Sequence, residues 1–180
     1  YLAPQGKVVY KSPVGRLPND LIFHGLHPGF PSLAPHGGIN PTPICMKYLF
    51  GPVQSRRLGR SLGIDLFPER KICNLQCIYC EVGPTETLAR QRALYTPTEE
   101  ILSELDVFSA DPANLAPIDV LTVTAKGEPT LHLGLGDILR HARTLAAKPV
   151  AVLTNGTTLM RDDVREELQG ADIVIPSLDS

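Results

Sequence analysis

No stretch of this sequence approaches the roughly 18 consecutive apolar residues that a membrane-spanning helix requires. Nor does Tyr1 to Tyr10 hold a basic region followed by an apolar block, the pattern of a secretory leader. An excess of one charge is also missing. Seventeen Lys and Arg against 19 Asp and Glu leave a formal net charge of −2, which gives no electrostatic reason to expect general nucleic-acid binding. Cysteine is scarce, at four residues, yet three of the four crowd together. Crowded thiols without a secretion signal point to metal or redox chemistry in a reducing compartment, so a cytoplasmic location is expected. The remainder is ordinary for a soluble domain, 43% hydrophobic and 20% charged, and 180 residues suffice for one core.

Residues 1–45 lack sustained periodicity of either the helical or the strand kind. They carry eight of the 17 prolines in a quarter of the length. The segment starts with Tyr1, and Met46 stands directly before Lys47-Tyr48-Leu49-Phe50-Gly51. The expectation is a natural start at Met46, with 1–45 a non-core, disordered or upstream extension and 46–180 the N-terminal part of the functional domain. Cys45 is then no ligand.

The organising stretch is Lys71-Ile72-Cys73-Asn74-Leu75-Gln76-Cys77-Ile78-Tyr79-Cys80-Glu81. Its cysteines are spaced Cys-x3-Cys-x2-Cys within eight positions. Thiolates this close in sequence can turn inward from one loop onto a shared metal centre. A four-iron cube offers one protein site per iron, so three thiolates leave one iron open to a small molecule. A structural zinc site is normally closed by four ligands, and no nearby His or Cys completes such a set. Zinc, or three ordinary buried thiols, are the other readings of the same residues. An electron-transfer protein would ordinarily present four cysteines.

This motif, with Tyr79 before its last cysteine, resembles the signature of the radical S-adenosylmethionine (radical SAM) superfamily. The resemblance implies that Cys73, Cys77 and Cys80 bind a 4Fe-4S cluster whose open iron chelates the amine and carboxylate of S-adenosylmethionine. It further implies one-electron cleavage of that sulfonium to methionine and a 5′-deoxyadenosyl radical, fed by a donor such as a flavodoxin or ferredoxin. Gly51-Pro52-Val53-Gln54-Ser55-Arg56-Arg57-Leu58-Gly59 and Ser61-Leu62-Gly63-Ile64-Asp65 resemble a narrower branch, Fe–S oxidoreductases grouped with wyosine-type tRNA-modifying enzymes. A tRNA partner would follow from that branch, although the net charge lends it no support. The alternative reading is a non-catalytic metal-binding module, zinc or Fe–S, in which the metal only folds the loop.

Apolar runs at 61–66, 120–124, 150–154 and 173–175 read as strands. Between them, Ile101, Leu102, Leu105 and Phe108, then Leu135, Ile138, Leu139, Ala142, Leu145 and Ala146, outline amphipathic helices. Thr96-Pro97-Thr98-Glu99 reads as a capping box, and Asp162 to Leu168 as a shorter helix stopped by Gly170. The stretch from Asp111 to Pro117 reads as a loop. Alternating strands and helices predict an α/β fold with parallel strands and right-handed crossovers. Set against the superfamily, the expected fold is a partial parallel (βα) barrel, truncated after about four strands and with an uncovered sheet edge.

Polar motifs fall at equivalent strand ends: the cysteine loop, Gly127-Glu128-Pro129, Asn155-Gly156, and Ser177 to Ser180. In parallel α/β folds that edge is where ligands bind. Gly127-Glu128-Pro129 resembles the superfamily's Gly-Gly-Glu, with Lys126 in place of the first glycine, and the resemblance gives Glu128 the cofactor's amine. Asn155 is placed near the methionine or substrate side, Ser177 and Asp179 at the ribose hydroxyls, and Tyr79 near cluster and adenine. Arg56, Arg57 and Arg60 form a basic patch, read as solvated surface or as a site for a phosphate-bearing substrate. His132 and His141 are read as surface or helix-face residues.

Overall fold

The computed structural model describes residues 8–9, 44–145 and 147–177, with side chains for 46–145 and 147–177. In chain order its strands are β1 (Val8–Val9), β2 (Ile44–Cys45), β3 (Leu49–Ser55), β4 (Gly59–Asp65), β5 (Ile72–Cys73), β6 (Thr87–Leu88), β7 (Val120–Thr124), β8 (Val150–Thr154) and β9 (Ile173–Pro176). The helices are α1 (Thr98–Ser109), α2 (Pro112–Leu115), α3 (Leu135–Leu145) and α4 (Asp162–Glu167). Seven strands form one sheet in the order β1-β9-β8-β7-β4-β3-β2, and β5 and β6 pair separately.

From β4 through β7 and β8 to β9 the pairing is parallel and the order never reverses. Right-handed crossovers that advance in one direction place their helices on one face, and α1 packs on α3, and α3 on α4. The sheet is open. It is extended on the other side by antiparallel β3 and β2, so the architecture is a mixed α/β sheet rather than a closed barrel. The edge of β9 is not bare: Val8 and Val9 pair with Ile173 and Val174. Apart from those two residues and Ile44–Cys45, the 1–45 segment lies outside the described residues, as does Ala146.

The register sorts the two sheet faces. Leu62, Leu121 and Val150 form one row across β4, β7 and β8, Ile64, Val123 and Val152 form another, and all six belong to the buried apolar cluster. The opposite face carries small and polar residues, with Ser61 Oγ and Thr122 Oγ1 2.6 Å apart. Continuous apolar runs, expected for strands covered on both sides, thus give way to alternation in β4 and β7.

The strands and helices read in the sequence lie close to their expected positions, with four physical departures in the detail. Thr96 is not a cap: its hydroxyl donates to the Leu66 carbonyl at 2.8 Å, and α1 begins at Thr98 without a side-chain cap. Gly170 lies inside a short 3-10 turn, where a Cβ would come within 2.9 Å of Leu139 Cβ. Its role there is close packing. Asp111 caps α2 by accepting from Ala113 N at 2.9 Å, in a stretch read as loop.

The fourth departure concerns the segment between β6 and α1. Arg92, whose side chain is almost wholly buried, donates to the carbonyls of Thr130 (2.8 Å) and His132 (3.1 Å) and pairs with Asp163 and Glu167. The same lock buries His132 completely, which corrects its assignment to the surface. His132 Nε2 meets Thr98 Oγ1 at 3.1 Å, its ring stands edge-on to Phe67, and Nδ1 has no partner among the described residues. His141, by contrast, faces Asp106 at 2.8 Å on the helix surface.

Burial, and then the Arg92 charge, push the His132 pKa down to about 4. Because the folded value lies below the ordinary 6.5, unfolding takes up a proton between those two pH values. His132 therefore stabilises the fold fully above pH 6.5, and that contribution is lost as pH falls towards 4, to a limit of about 3 kcal/mol. The thermal midpoint of the wild type is expected to fall more steeply across this window than that of His132→Gln. Parallel melting curves would disprove the assignment.

Candidate functional site

The cysteine loop is built from its own backbone and then fastened to the sheet. Within it, Cys80 N donates to Cys77 O (3.2 Å), Gly83 N to Cys80 O (3.0 Å) and Ala89 N to Cys73 O (2.9 Å). Thr85 closes the base through its amide to Gln76 Oε1 and its hydroxyl to Leu75 O, both at 2.8 Å. The fastening runs through β5, where Ile72 N donates to Lys126 O (2.9 Å) and Glu128 N donates to Ile72 O (3.0 Å). Gly127 lies between those two bonds with φ +137°, and a Cβ there would stand 1.8 Å from Ile72 O. The glycine is thus what lets the cysteine strand lie against the end of β7.

Lys126, where the resembled motif has glycine, fits because its side chain leaves this contact. Its Nζ donates to Pro68 O (2.5 Å) and its N to Asp65 Oδ1 (2.9 Å). Asp65 Oδ1 also accepts from Phe67 N at 2.9 Å. Burial still holds the Asp65 pKa above the usual carboxylate value against both donors.

Glu128 is entirely buried. Its Oε1 accepts from Thr130 N (3.1 Å), Thr130 Oγ1 (2.5 Å) and Thr154 Oγ1 (2.7 Å), and its Oε2 from Asn155 N (2.6 Å). Pro129, also buried, opens the short 3-10 turn that returns Thr130 to the carboxylate. Asn155 carries the network to the cysteines: Nδ2 donates to Asn74 Oδ1 (2.9 Å) and lies 3.7 Å from Cys73 Sγ. Thr157 Oγ1 donates to Asn155 Oδ1 (2.6 Å) and accepts from Asn74 Nδ2 (2.7 Å).

The structure therefore brings Cys73, Gly127, Glu128, Pro129 and Asn155 into one connected set. Tyr79 stands at the loop's exposed tip beside the fully exposed Ile78. Ser177 is exposed at the end of β9, where its amide donates to Thr154 O at 2.8 Å. Asp179 lies outside the described residues. Asn74, Thr130, Thr154 and Thr157 were missed in the sequence. Threonine in a β-rich run reads as strand former, and only the strand register reveals what its hydroxyl meets.

The sulfurs have donors around them. Leu75 N approaches Cys73 Sγ at 3.5 Å, and Lys71 Nζ approaches Cys80 Sγ at 2.9 Å. Cys73 is buried, which pushes its thiol pKa up, with the Leu75 amide opposing and the Glu128 charge adding to the rise. Among the described residues no three His, Cys, Asp or Glu side chains converge on a point as a single-ion site would require. Three sulfurs on one short loop, two of them met by N–H donors, suit a larger group ligated by thiolates.

The radical SAM superfamily matches residues 71–180. The UPF0026 protein slr1464 of Synechocystis is 44% identical over 133 residues, covering 73% of this chain and 48% of that protein. A protein named GTPase Obg in Brachyspira hyodysenteriae is 41% identical over 134 residues, 74% of this chain and 19% of its own length. A UPF0026 protein of Helicobacter pylori J99 is 40% identical over 133 residues, with 73% and 42% covered. The chain thus spans about half or less of the curated relatives it matches. No solved structure matches it. No helix among the described residues is long and apolar enough to cross a membrane.

Proposed function

This chain belongs to the radical SAM superfamily, and on that premise we propose that Cys73, Cys77 and Cys80 hold a 4Fe-4S cluster that also binds S-adenosylmethionine. The observation that supports this most is the loop itself. Its three thiols are anchored by backbone bonds to the ligand-binding edge of a parallel sheet, with N–H donors at two of the sulfurs. When bound, the two groups supply one-electron reductive cleavage of the sulfonium to methionine and a 5′-deoxyadenosyl radical.

The chain's own residues position and tune. Lys126 and Glu128 hold β5 by its backbone, and Gly127 between them leaves room for it. The Leu75 amide donates to Cys73 Sγ, with the Asn155 side-chain amide alongside, and hydrogen bonds to ligand sulfurs are one of the levers that set a cluster's potential. Glu128 orients Asn155 by its amide. Oε2 accepts a single bond and keeps an acceptor site, but the carboxylate is fully buried, so direct contact with the cofactor's amine requires its cover to open. Tyr79, Asn155, Ser177 and Asp179 are the remaining candidates for cofactor contact. Fe–S potentials span about −700 to +450 mV, and reducing a sulfonium calls for the low end, so the proposed donor is a flavodoxin- or ferredoxin-type protein. The substrate is left unassigned. The Fe–S oxidoreductase branch grouped with wyosine-type enzymes rests on the 51–65 sequence alone.

Anaerobic reconstitution tests the proposal. The wild type is expected to hold roughly four iron and four sulfide per chain, and S-adenosylmethionine to change the EPR spectrum of the reduced cluster. Cys77→Ala is expected to lose most of that iron and all of the response. A colourless zinc protein, or a cluster indifferent to the cofactor, would favour the non-catalytic metal module instead.

A further inference from the structure

Lys71 precedes the first cysteine by two positions, yet its side chain reaches the far end of the loop. It is only 3% exposed. Its ammonium donates to Cys80 Sγ at 2.9 Å and to the Gly83 carbonyl. The neighbouring carboxylate of Glu86 accepts instead from the Lys71 backbone amide, at 2.9 Å. Among the described residues no ion pair joins Lys71 to any carboxylate. A buried ammonium is costly unless an anion faces it. The group its Nζ meets that becomes anionic on ligating a metal is the Cys80 sulfur.

We propose that Lys71 is a positioning residue that sets the reduction potential of the cluster, through a charged hydrogen bond to the Cys80 sulfur. The inference rests on the reading of Cys73, Cys77 and Cys80 as cluster ligands. Reduction adds one electron to the cluster, and a fixed positive charge beside a ligand sulfur favours the more negative of the two states. Net charge and hydrogen bonds to the sulfurs are established levers on such potentials, and burial weakens the solvent screening of this charge. The contrast within the loop is informative. Cys73 meets neutral donors at 3.5 and 3.7 Å, whereas Cys80 meets a cation at 2.9 Å, and charge-assisted bonds are the shorter and stronger kind. The same ammonium, bonded to Gly83 O, closes the turn that follows Cys80.

The test is redox titration of anaerobically reconstituted protein without S-adenosylmethionine, comparing the wild type with Lys71→Met and Lys71→Arg. Lys71→Met is expected to keep its iron and to show a reduced-to-oxidised ratio about tenfold lower at a fixed solution potential, a downward shift of about 59 mV. Lys71→Arg, which keeps charge and donor, is expected to stay within about twofold of the wild type. Full iron with an unchanged ratio in Lys71→Met overturns the proposal. If Lys71→Met holds no iron, wild-type protein labelled with 15N at lysine side chains decides the question. A lysine 15N hyperfine coupling to the reduced cluster, absent in Lys71→Arg, supports the proposal, and its absence in the wild type overturns it. Wild type that binds neither iron nor sulfide defeats the cluster reading itself, and this inference with it.

Discussion

Replacing Gly127 by alanine is expected to unseat the cysteine strand and cost about 4 kcal/mol or more, at the extreme of single substitutions. Two independent penalties meet at this position. The backbone sits at φ +137°, where L-residues are strained, and the added methyl would lie 1.8 Å from Ile72 O and 2.5 Å from Ile72 C. Neither atom is the end of a flexible side chain, so relief requires β5 to move. Moving β5 breaks the bonds from Ile72 N to Lys126 O and from Glu128 N to Ile72 O. Those bonds alone join the first cysteine's strand to the sheet by backbone pairing among the described residues. The expected signature is therefore double: a lower urea midpoint and, on reconstitution, iron retention well below that of the wild type. A Gly127→Ala protein with wild-type stability would show that the close approach of Ile72 is not a feature of the fold.

How much of this was legible in the sequence depended on whether the information was local. Strands β7 and β8 match their readings residue for residue, because a β-branched run ending at a polar turn needs no distant partner to be recognised. The cysteine loop was legible for the same reason. Strand β3 was not read, because its Gly51-Pro52 argues against a strand; the register with β4 shifts between Phe50 and Val53, and that irregularity accommodates the pair. Helix α2 could have been read, since Asp111-Pro112 is a cap followed by proline at the first helical position. Thr96 carried a valid local signal that a tertiary bond to Leu66 O overrode. His132 is polar in sequence and buried in the fold because Arg92, 40 residues away, holds its carbonyl.

The site divides along the same line. Which residues carry sulfur, carboxylate or amide was visible; which of them face each other was not. Gly127 and Glu128 were singled out for closeness to a cofactor, and the structure shows them close to the cysteine strand and the β8 rim. Lys71 offered no local signal. A lysine before a cysteine motif reads as a solvated charge, and only the loop's path across Cys80 and Gly83 turns it into a buried partner of sulfur.

Glu128→Ala is the sharper test of that rim, with an expected loss of roughly 3–5 kcal/mol. The carboxylate satisfies four donors: the amides of Thr130 and Asn155, and the hydroxyls of Thr130 and Thr154. The Thr130 hydroxyl has other company, since it lies 2.5 Å from Thr158 Oγ1, whereas the other partner of Thr154 Oγ1, Gly156 N at 3.0 Å, is itself a donor. The two amides have no such reserve among the bonds of the described residues, and each buried amide left unpaired costs about 1–3 kcal/mol. Glu128→Gln keeps the shape and one acceptor but turns two N–H donors towards groups that themselves donate, so a loss of about 2 kcal/mol is expected. Because Asn155 N is one of the abandoned donors, the Asn155 side chain should loosen from Asn74 and Cys73 in both variants. If Glu128 serves the site chiefly by holding this rim, weakening of S-adenosylmethionine binding should follow the loss of stability from Gln to Ala. Should Glu128→Gln instead keep nearly full stability and abolish binding, the carboxylate meets the cofactor directly, and the buried arrangement would be its resting state.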